Sequence, residues 1–577
     1  MKEPRVQRRS GAALAAGLVI ALLQSGFAVS PSHALPGVRI RVLLSKTFPY
    51  DSLQASASFV GSDRTLHAYV VVDAPQRAVG LLSAAEFSIQ VAHTPEMGIT
   101  LGAFEPDPGW RATHGAADPG QGPSATRPLP TVLGHVSIHL GSQSSCQARI
   151  TVRSAKQDTA TPGPALVDEH GEQVSIYRCD GASINCPPPP SMLYPIWTLA
   201  PNEDRFPQDD VLRWWMDQCG VSGLGIGVLA CAPNRKCYQV SQSGRVVLAR
   251  EIPAGLRPID FGLATDDGQH VLLGKPVRGG SREKIYRLNL ATGSCDSLLD
   301  FRPIAMSASG ECSVAGSLRF VLDSVLKTPH GDTPLGLAYG DGIFLGEELV
   351  MLGSPATSGS GDCSSVGGGD IAFVRATSDG HIALRIPTGL SGCLRSSEFA
   401  EDGLWSALVA TDQHTVRLLV GDENGPSDSR DMSGYLPHAA RILGQNHAGV
   451  TVCGPSALRI FDRSSMTPIN AFEIPWSAFG ARSGILRDVS FLGAGRLLAS
   501  ASANDRPARQ PALLDALFML FSCDGRPLAQ LADLPGSRHS TPWSSPCNSW
   551  PTVRPLVGNL LRVDLACGAS AVYYFGE

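Results

Sequence analysis

Along most of this chain, apolar and polar residues alternate in runs of five to eight broken by Gly, Pro, Asn and Asp, a period-two pattern that predicts β-strands. Between residues 38 and 177 the predicted strands are Val38 to Lys46, Gln54 to Val60, Leu66 to Val72, Glu86 to Val91, Val132 to Leu140 and Ala148 to Val152. Val70-Val71-Val72 and Val136-Ser137-Ile138 carry the β-branched enrichment of half-buried strands. Strands this short and closely spaced predict a β-sandwich. A Gly, Pro and Asp-rich loop from Glu105 to Pro130 interrupts it and holds Trp110.

From residue 237 onward the pattern becomes a recurring pair of hairpins. Inner-type turns fall at Asp267-Gly268, Ser309-Gly310, Gly346-Glu347, Asp402-Gly403, His447-Ala448, Ala494-Gly495 and Gly558-Asn559. Outer-type turns follow at Thr292-Gly293, Asp379-Gly380, Asn424-Gly425, Ser464-Ser465 and Asp524-Gly525. A two-hairpin unit recurring roughly every 40 to 50 residues is the signature of a β-propeller blade. Seven inner turns predict seven blades, or six if the degenerate second one is not counted. The hairpin around Ser243-Gly244 is out of phase, and the chain ends on Ala571 to Phe575 with no outer strand after it. Pairing these two ends would close the ring and remove two free sheet edges.

The fold class is therefore all-β, an N-terminal β-sandwich followed by a six- or seven-bladed β-propeller. The expected division is a signal peptide over 1–34, the sandwich over 35–185, a linker over 186–236 and the propeller over 237–577. The linker opens on Pro187 to Pro190 and is predicted to hold one short helix, capped by Asp209 or Asp210 and carrying Trp214 and Trp215.

The segments Leu66 to Val72 and Ala84 to Ile89 resemble a domain of secreted bacterial proteins that is itself similar to cohesin-type sandwiches. That resemblance implies an adhesion or carbohydrate-binding scaffold and carries no functional residue with it. The hairpin units resemble WD40-like, YVTN and NHL-type propellers in rhythm. The Trp-Asp dipeptide is absent, so this second resemblance implies fold alone.

The N-terminus sets the expected compartment. Lys2, Arg5, Arg8 and Arg9 precede an apolar stretch from Ala12 to Leu23 and a small-residue exit, Ser32-His33-Ala34. This is the arrangement of a secretory signal peptide cut after Ala34, and the apolar stretch falls short of the roughly 20 residues a membrane span needs. A secreted or periplasmic protein without a transmembrane anchor is expected. In that setting the 14 cysteines predict several disulfides. A net charge of −5 without basic runs gives nucleic-acid binding no electrostatic basis.

Motifs for chemistry are sparse. The chain has no HExxH, no GxSxG and no Walker loop. His135 and His139 share a strand face, but four residues of strand put them roughly 13 Å apart, too far for one metal ion. Asp422, Asn424 and Asp428 form an acidic hairpin that could wrap calcium through oxygen ligands, the one cofactor weighed; a solvated turn is the simpler account. Trp110 could stack on a sugar or tuck over the sandwich edge. The reading that follows is a secreted, non-catalytic binding or structural protein whose partner is an extracellular glycan or protein. The alternative is an extracellular hydrolase or lyase with its site on the propeller channel face.

Overall fold

The computed structural model describes residues 38–576 apart from connecting stretches, the longest being 58–64, 74–80, 119–126, 141–147, 154–163, 200–226, 259–269, 316–323, 355–369, 504–514 and 533–551. The expected signal peptide, the short helix with Trp214 and Trp215, and the turns at Asp267-Gly268 and Ser309-Gly310 lie outside the described residues. The described chain is nearly all β, with one short 3-10 turn at Trp476–Phe479.

In the N-terminal region, Val38–Ser45 pairs antiparallel with Thr65–Asp73, which pairs antiparallel with Thr131–His139, which in turn pairs with Thr100–Pro106. Two further four-stranded sheets accompany this one. Alternation sends Val38, Ile40, Val42, Leu44, Leu66, Ala68, Val70 and Val72 to one face, where they join Ile150, Val152 and Ile184 from a second sheet in a single apolar core. The opposite face carries Leu43, Ser45, His67, Tyr69 and His135.

From residue 227 onward the strands form a series of antiparallel sheets in chain order, spanning 227–251, 257–299, 305–334, 339–391, 393–431, 441–473, 484–531 and 552–574. Among the described residues the first has three strands. Each of the next six has four strands of its own, and the eighth has three. First strands of successive sheets lie against one another from the third sheet to the eighth. Sheets that meet along their first strands radiate from a common axis, which is the architecture of a β-propeller. The turns Gly346-Glu347, Asp402-Gly403 and His447-Ala448 fall between the first and second strands of their sheets, as the sequence predicts.

Ring closure differs from the expectation. The C-terminal strand Ser570–Tyr574 pairs antiparallel with Pro195–Leu199, a strand from the segment read as linker, and this completes the eighth sheet as a four-stranded one. The out-of-phase hairpin instead joins Gly227–Cys231 in the first sheet. The proline tract stops at Pro190, and Pro195 opens its strand, a position where the missing N–H costs no ladder bond.

Ser191–Leu193 pairs antiparallel with Ile176–Asp180 of the N-terminal region and parallel with Pro527–Leu531 of the seventh sheet. One continuous ten-stranded sheet therefore runs from the N-terminal region into the propeller. Ala532 donates to the Leu193 carbonyl at 2.7 Å, and Arg178 donates to the Gly576 carbonyl at 3.2 Å.

Candidate functional site

The described feature best suited to contact a ligand is the outer face of the N-terminal sheet. Period two puts His67 and Tyr69 on one face of Thr65–Asp73. The register sets His135 opposite Tyr69 and Ser137 opposite His67. His67 and His135 thereby become diagonal neighbours across the two strands, with ring centroids 5.2 Å apart. Tyr69 stacks on the other side of His135 at 5.1 Å.

The chain leaving Val38–Ser45 folds back over these rings, pinned where Leu44 and Gln54 exchange backbone hydrogen bonds of 2.7 and 3.0 Å. This lays Phe48 on His135 at 4.6 Å, stacked, and on His67 at 5.7 Å, and sets the edge of Tyr50 against Tyr69 at 5.0 Å. His135 beneath is 5% exposed, whereas Phe48 is 60% and Tyr50 44% exposed. Two open aromatic rings thus rest on a firm base of His and Tyr.

Polar groups border the rings. Ser137 Oγ lies 3.3 Å from His67 Nδ1, and Glu105 Oε2 lies 3.6 Å from His135 Nε2. At the far end of the strand Thr65 Oγ1 meets His139 Nδ1 at 3.1 Å. The Tyr69 hydroxyl is buried without a hydrogen-bond partner, so it holds an unused donor beside the rings. Burial pushes His135 down from the ordinary imidazole range against the pull of Glu105 and Asp107. Burial and then the neighbouring His135 push His67 down. Both imidazoles are neutral at neutral pH, which is the state in which two of them can sit in contact.

The binding and calcium candidates from the sequence, Trp110, Asp422, Asn424 and Asp428, lie elsewhere, whereas His135 belongs to this face. Trp110 is 4% exposed and packs in the N-terminal core, so its ring offers no open stacking surface. Of the two placements open to it, the ring takes the buried one, and the Asp107 carbonyl accepts the Trp110 amide at 2.9 Å where the chain turns back. Asp422 Oδ1 accepts the Asn424 amide at 2.8 Å in a local turn, and Asp428 accepts the amide of Ser429 at 2.7 Å from a position opposite Val420. Each carboxylate serves its own backbone. Among the described residues no group of three or more His, Cys, Asp or Glu is placed to hold a metal ion.

The cysteines depart in part from the expectation of several disulfides. Cys179, Cys186, Cys295, Cys312, Cys453 and Cys523 carry free thiols, while Cys393 is disulfide-bonded. Cys179 and Cys186 flank a short loop in sequence, yet Cys179 faces the apolar core and Cys186 Sγ donates to the Ala148 carbonyl at 3.4 Å.

The propeller carries a second set of notable groups. Arg463 is 8% exposed and donates to Ser406 Oγ at 2.8 Å, Gln445 Oε1 at 2.6 Å, the Trp405 carbonyl at 2.9 Å and the Gly421 carbonyl. It ties the fifth sheet to the sixth. Burial pushes its pKa down, and Asp402 and Asp422 pull it back up. Arginines also stand on the first strands of several sheets, namely Arg257, Arg395, Arg441, Arg487 and Arg554. Arg395, Arg441 and Arg487 recur at equal intervals along the chain, a signal legible in the sequence once the repeat is aligned.

No family model matches this chain, and no curated protein matches it. Among solved structures it is similar to the Pan2 WD40 domain of Neurospora crassa, at 10% identity over 46% of this chain and 76% of that one, with a TM-score of 0.26. It is similar to the propeller domain of the Trilobed protease of Pyrococcus furiosus, at 11% identity over 52% and 92%, TM-score 0.30. It is also similar to BamB of Moraxella catarrhalis, at 11% identity over 62% and 96%, TM-score 0.25. These likenesses are too slight to carry a function, and the propeller stands on the strand order and first-strand contacts described above.

Proposed function

We propose that this chain is a secreted or periplasmic recognition protein without catalytic activity. Its N-terminal β-sandwich binds an extracellular glycan through Phe48 and Tyr50, and its propeller serves as a rigid scaffold. In this reading the propeller has eight blades, one per sheet, the last closed by Pro195–Leu199.

The observation that carries the reading is the pair of open rings on a buried His and Tyr base. A large aromatic side chain left in water on a structured face is the arrangement on which the apolar face of a pyranose ring stacks, while Ser137 and Glu105 at its border supply edge hydrogen bonds. A protein partner would be expected to cover a larger apolar area than two rings bordered by polar groups. The base is prefolded, so little ordering entropy opposes binding.

A glycan array probed with the wild-type protein and with Phe48→Ala tests this directly. Specific binding by the wild type that Phe48→Ala loses supports the reading. Silence of the wild type, or equal binding by both, refutes it.

A further inference from the structure

We propose that the glycan taken by the aromatic face is anionic, and that Arg41 binds its carboxylate or sulfate group beside the sugar stacked on Phe48 and Tyr50. This inference rests on the recognition reading above and names the chemical class of its ligand. Period two carries the outer face of Val38–Ser45 from Ser45 and Leu43 back to Arg41 and Arg39, while Val42 and Leu44 enter the core. In the ladder Leu43 lies opposite Tyr69, and Arg41 opposite Val71. Arg41 therefore stands one step of two residues, about 7 Å along the strand, from the Leu43 and Tyr69 pair on which the edge of Tyr50 rests. Val71 and Val132, opposite each other and both half-buried, continue the floor beside it.

At this end of the face the described residues bring together Arg39, Arg41 and Arg178 with Asp73 and Asp180, three cations against two carboxylates. The carboxylates are shared unequally. Arg39 and Arg178 both pair with Asp180, Arg178 at 2.7 Å, and Ser191 Oγ donates to it at 2.5 Å. Burial pushes the Asp180 carboxyl up, but Arg178, Arg39 and Ser191 outweigh it and hold the group below the ordinary carboxylate range. Arg41 is left with Asp73 at 3.5 Å, the outer limit of a hydrogen bond. Burial pushes the Asp73 carboxyl above its ordinary range in spite of Arg39 and Arg41. Among the described residues Arg41 makes this one hydrogen bond, and its side chain is 36% exposed, so most of its five N–H donors are left for a ligand.

Charge complementarity selects the ligand. A guanidinium fork meets the paired oxygens of a carboxylate or a sulfate ester, and binds them more strongly than a neutral hydroxyl. An anionic group that takes the place of the long contact to Asp73 exchanges one marginal bond for two charge-assisted ones. Arg39, on the same strand face, adds its field. The far flank has the opposite sign. Counting strands from Val38–Ser45 through Thr65–Asp73 and Thr131–His139 to Thr100–Pro106, Glu105 stands three strand spacings, about 14 Å, from Leu43. Its side chain is 62% exposed, so it accepts sugar hydroxyls and repels anions. The face is thereby polarised, and a sugar chain laid across the strands puts its anionic residue at the Arg41 side.

The test uses the full chain and three probes on one β-1,4-linked backbone: tetraglucuronate, cellotetraose 6-sulfate and neutral cellotetraose. In titration calorimetry at low ionic strength, at least one anionic probe is expected to bind about ten-fold more tightly than cellotetraose, with the advantage shrinking as salt is added. Which of the two binds distinguishes carboxylate from sulfate. Arg41→Gln is expected to bring that probe down to the affinity of cellotetraose. Asp73→Asn removes the competing carboxylate and is expected to tighten the anionic probe about three-fold, a gain that partial unfolding does not produce. Equal binding of anionic and neutral probes by the wild type overturns the inference and leaves the recognition reading standing. An anionic advantage that survives in Arg41→Gln overturns the assignment to Arg41. Binding of none of the three also overturns the inference, while the glycan array with Phe48→Ala decides the recognition reading separately.

Discussion

Replacing Arg463 by alanine removes the cation that joins the fifth and sixth sheets of the propeller. The guanidinium satisfies Ser406 Oγ, Gln445 Oε1 and the carbonyls of Trp405 and Gly421 in a site from which water is nearly excluded. Gln445 is itself held by its amide, which donates to the Glu398 carbonyl at 2.7 Å and the Leu404 carbonyl at 3.0 Å, so it cannot turn to compensate. Ser406 keeps its bond to Gln445, leaving the two carbonyls as the main acceptors stripped of a donor. At roughly 1 to 3 kcal/mol for each buried group left unsatisfied, Arg463→Ala should cost about 3 to 4 kcal/mol. Arg463→Lys should recover less than half of that, because an ammonium on a flexible stem does not reach four acceptors in a forked geometry. Urea unfolding followed by tryptophan fluorescence reads the loss, since Trp405 packs within this joint, stacked on Phe373 at 5.7 Å. A midpoint for Arg463→Ala within error of the wild type would show that the joint is held by its apolar packing alone.

Gly444→Ala would set a Cβ 1.7 Å from the Val489 carbonyl oxygen of the neighbouring first strand, so it should lower the propeller midpoint by more than Gly434→Ala, where the space is open. Lowered imidazole pKa values mean that the unfolded state takes protons more readily. The His67 and His135 contribution to stability is therefore full above about pH 6.5 and lost as pH falls through 6.5 toward their lower folded values. Proton titration by NMR should show both ring shifts moving below pH 6.5, and movement above that value would contradict the packing described. Burial raises the Cys179 thiol far out of its ordinary range and Cys312 to about 11, so both should resist iodoacetamide in the native protein at pH 8 and react after denaturation. Asp462, held down to about 2 by the hydroxyl and amide donors of Ser464 and Ser465, should stabilise its turn above pH 4 and lose that effect as pH falls toward 2. Asp462→Asn should flatten that acid limb of the stability curve.

The alternation of Val38 to Leu44 and Leu66 to Val72 and the turn residues at 346, 402 and 447 made the strands and the repeat legible in the sequence, because side-chain direction and turn chemistry are local. The partner of a closing strand is not local. Pro195–Leu199 reads as five residues after a proline tract, and its role appears only when Ser570–Tyr574 is placed beside it. The same limit hid the aromatic face. Along its strand His135 looks toward His139, but the register between strands sets it beside His67, more than sixty positions away in the chain. For Trp110 the loop left two placements open, stacked on a sugar or tucked against the sheet, and which of them holds is set by burial that the loop's own residues do not encode. The inner-strand arginines were readable in principle, as a residue type repeated at one position of an aligned unit, whereas Arg463 is marked only by the sheets it joins.

The measurement that bears most directly on recognition through the N-terminal face is calorimetric titration of an array-selected oligosaccharide into the wild type, Phe48→Ala and Tyr50→Ala at pH 7.5. Saturable binding by the wild type that each variant weakens at least ten-fold, with unfolding midpoints unchanged, is the expected result. Undiminished binding by Phe48→Ala and Tyr50→Ala would place the ligand elsewhere on the molecule and contradict the account.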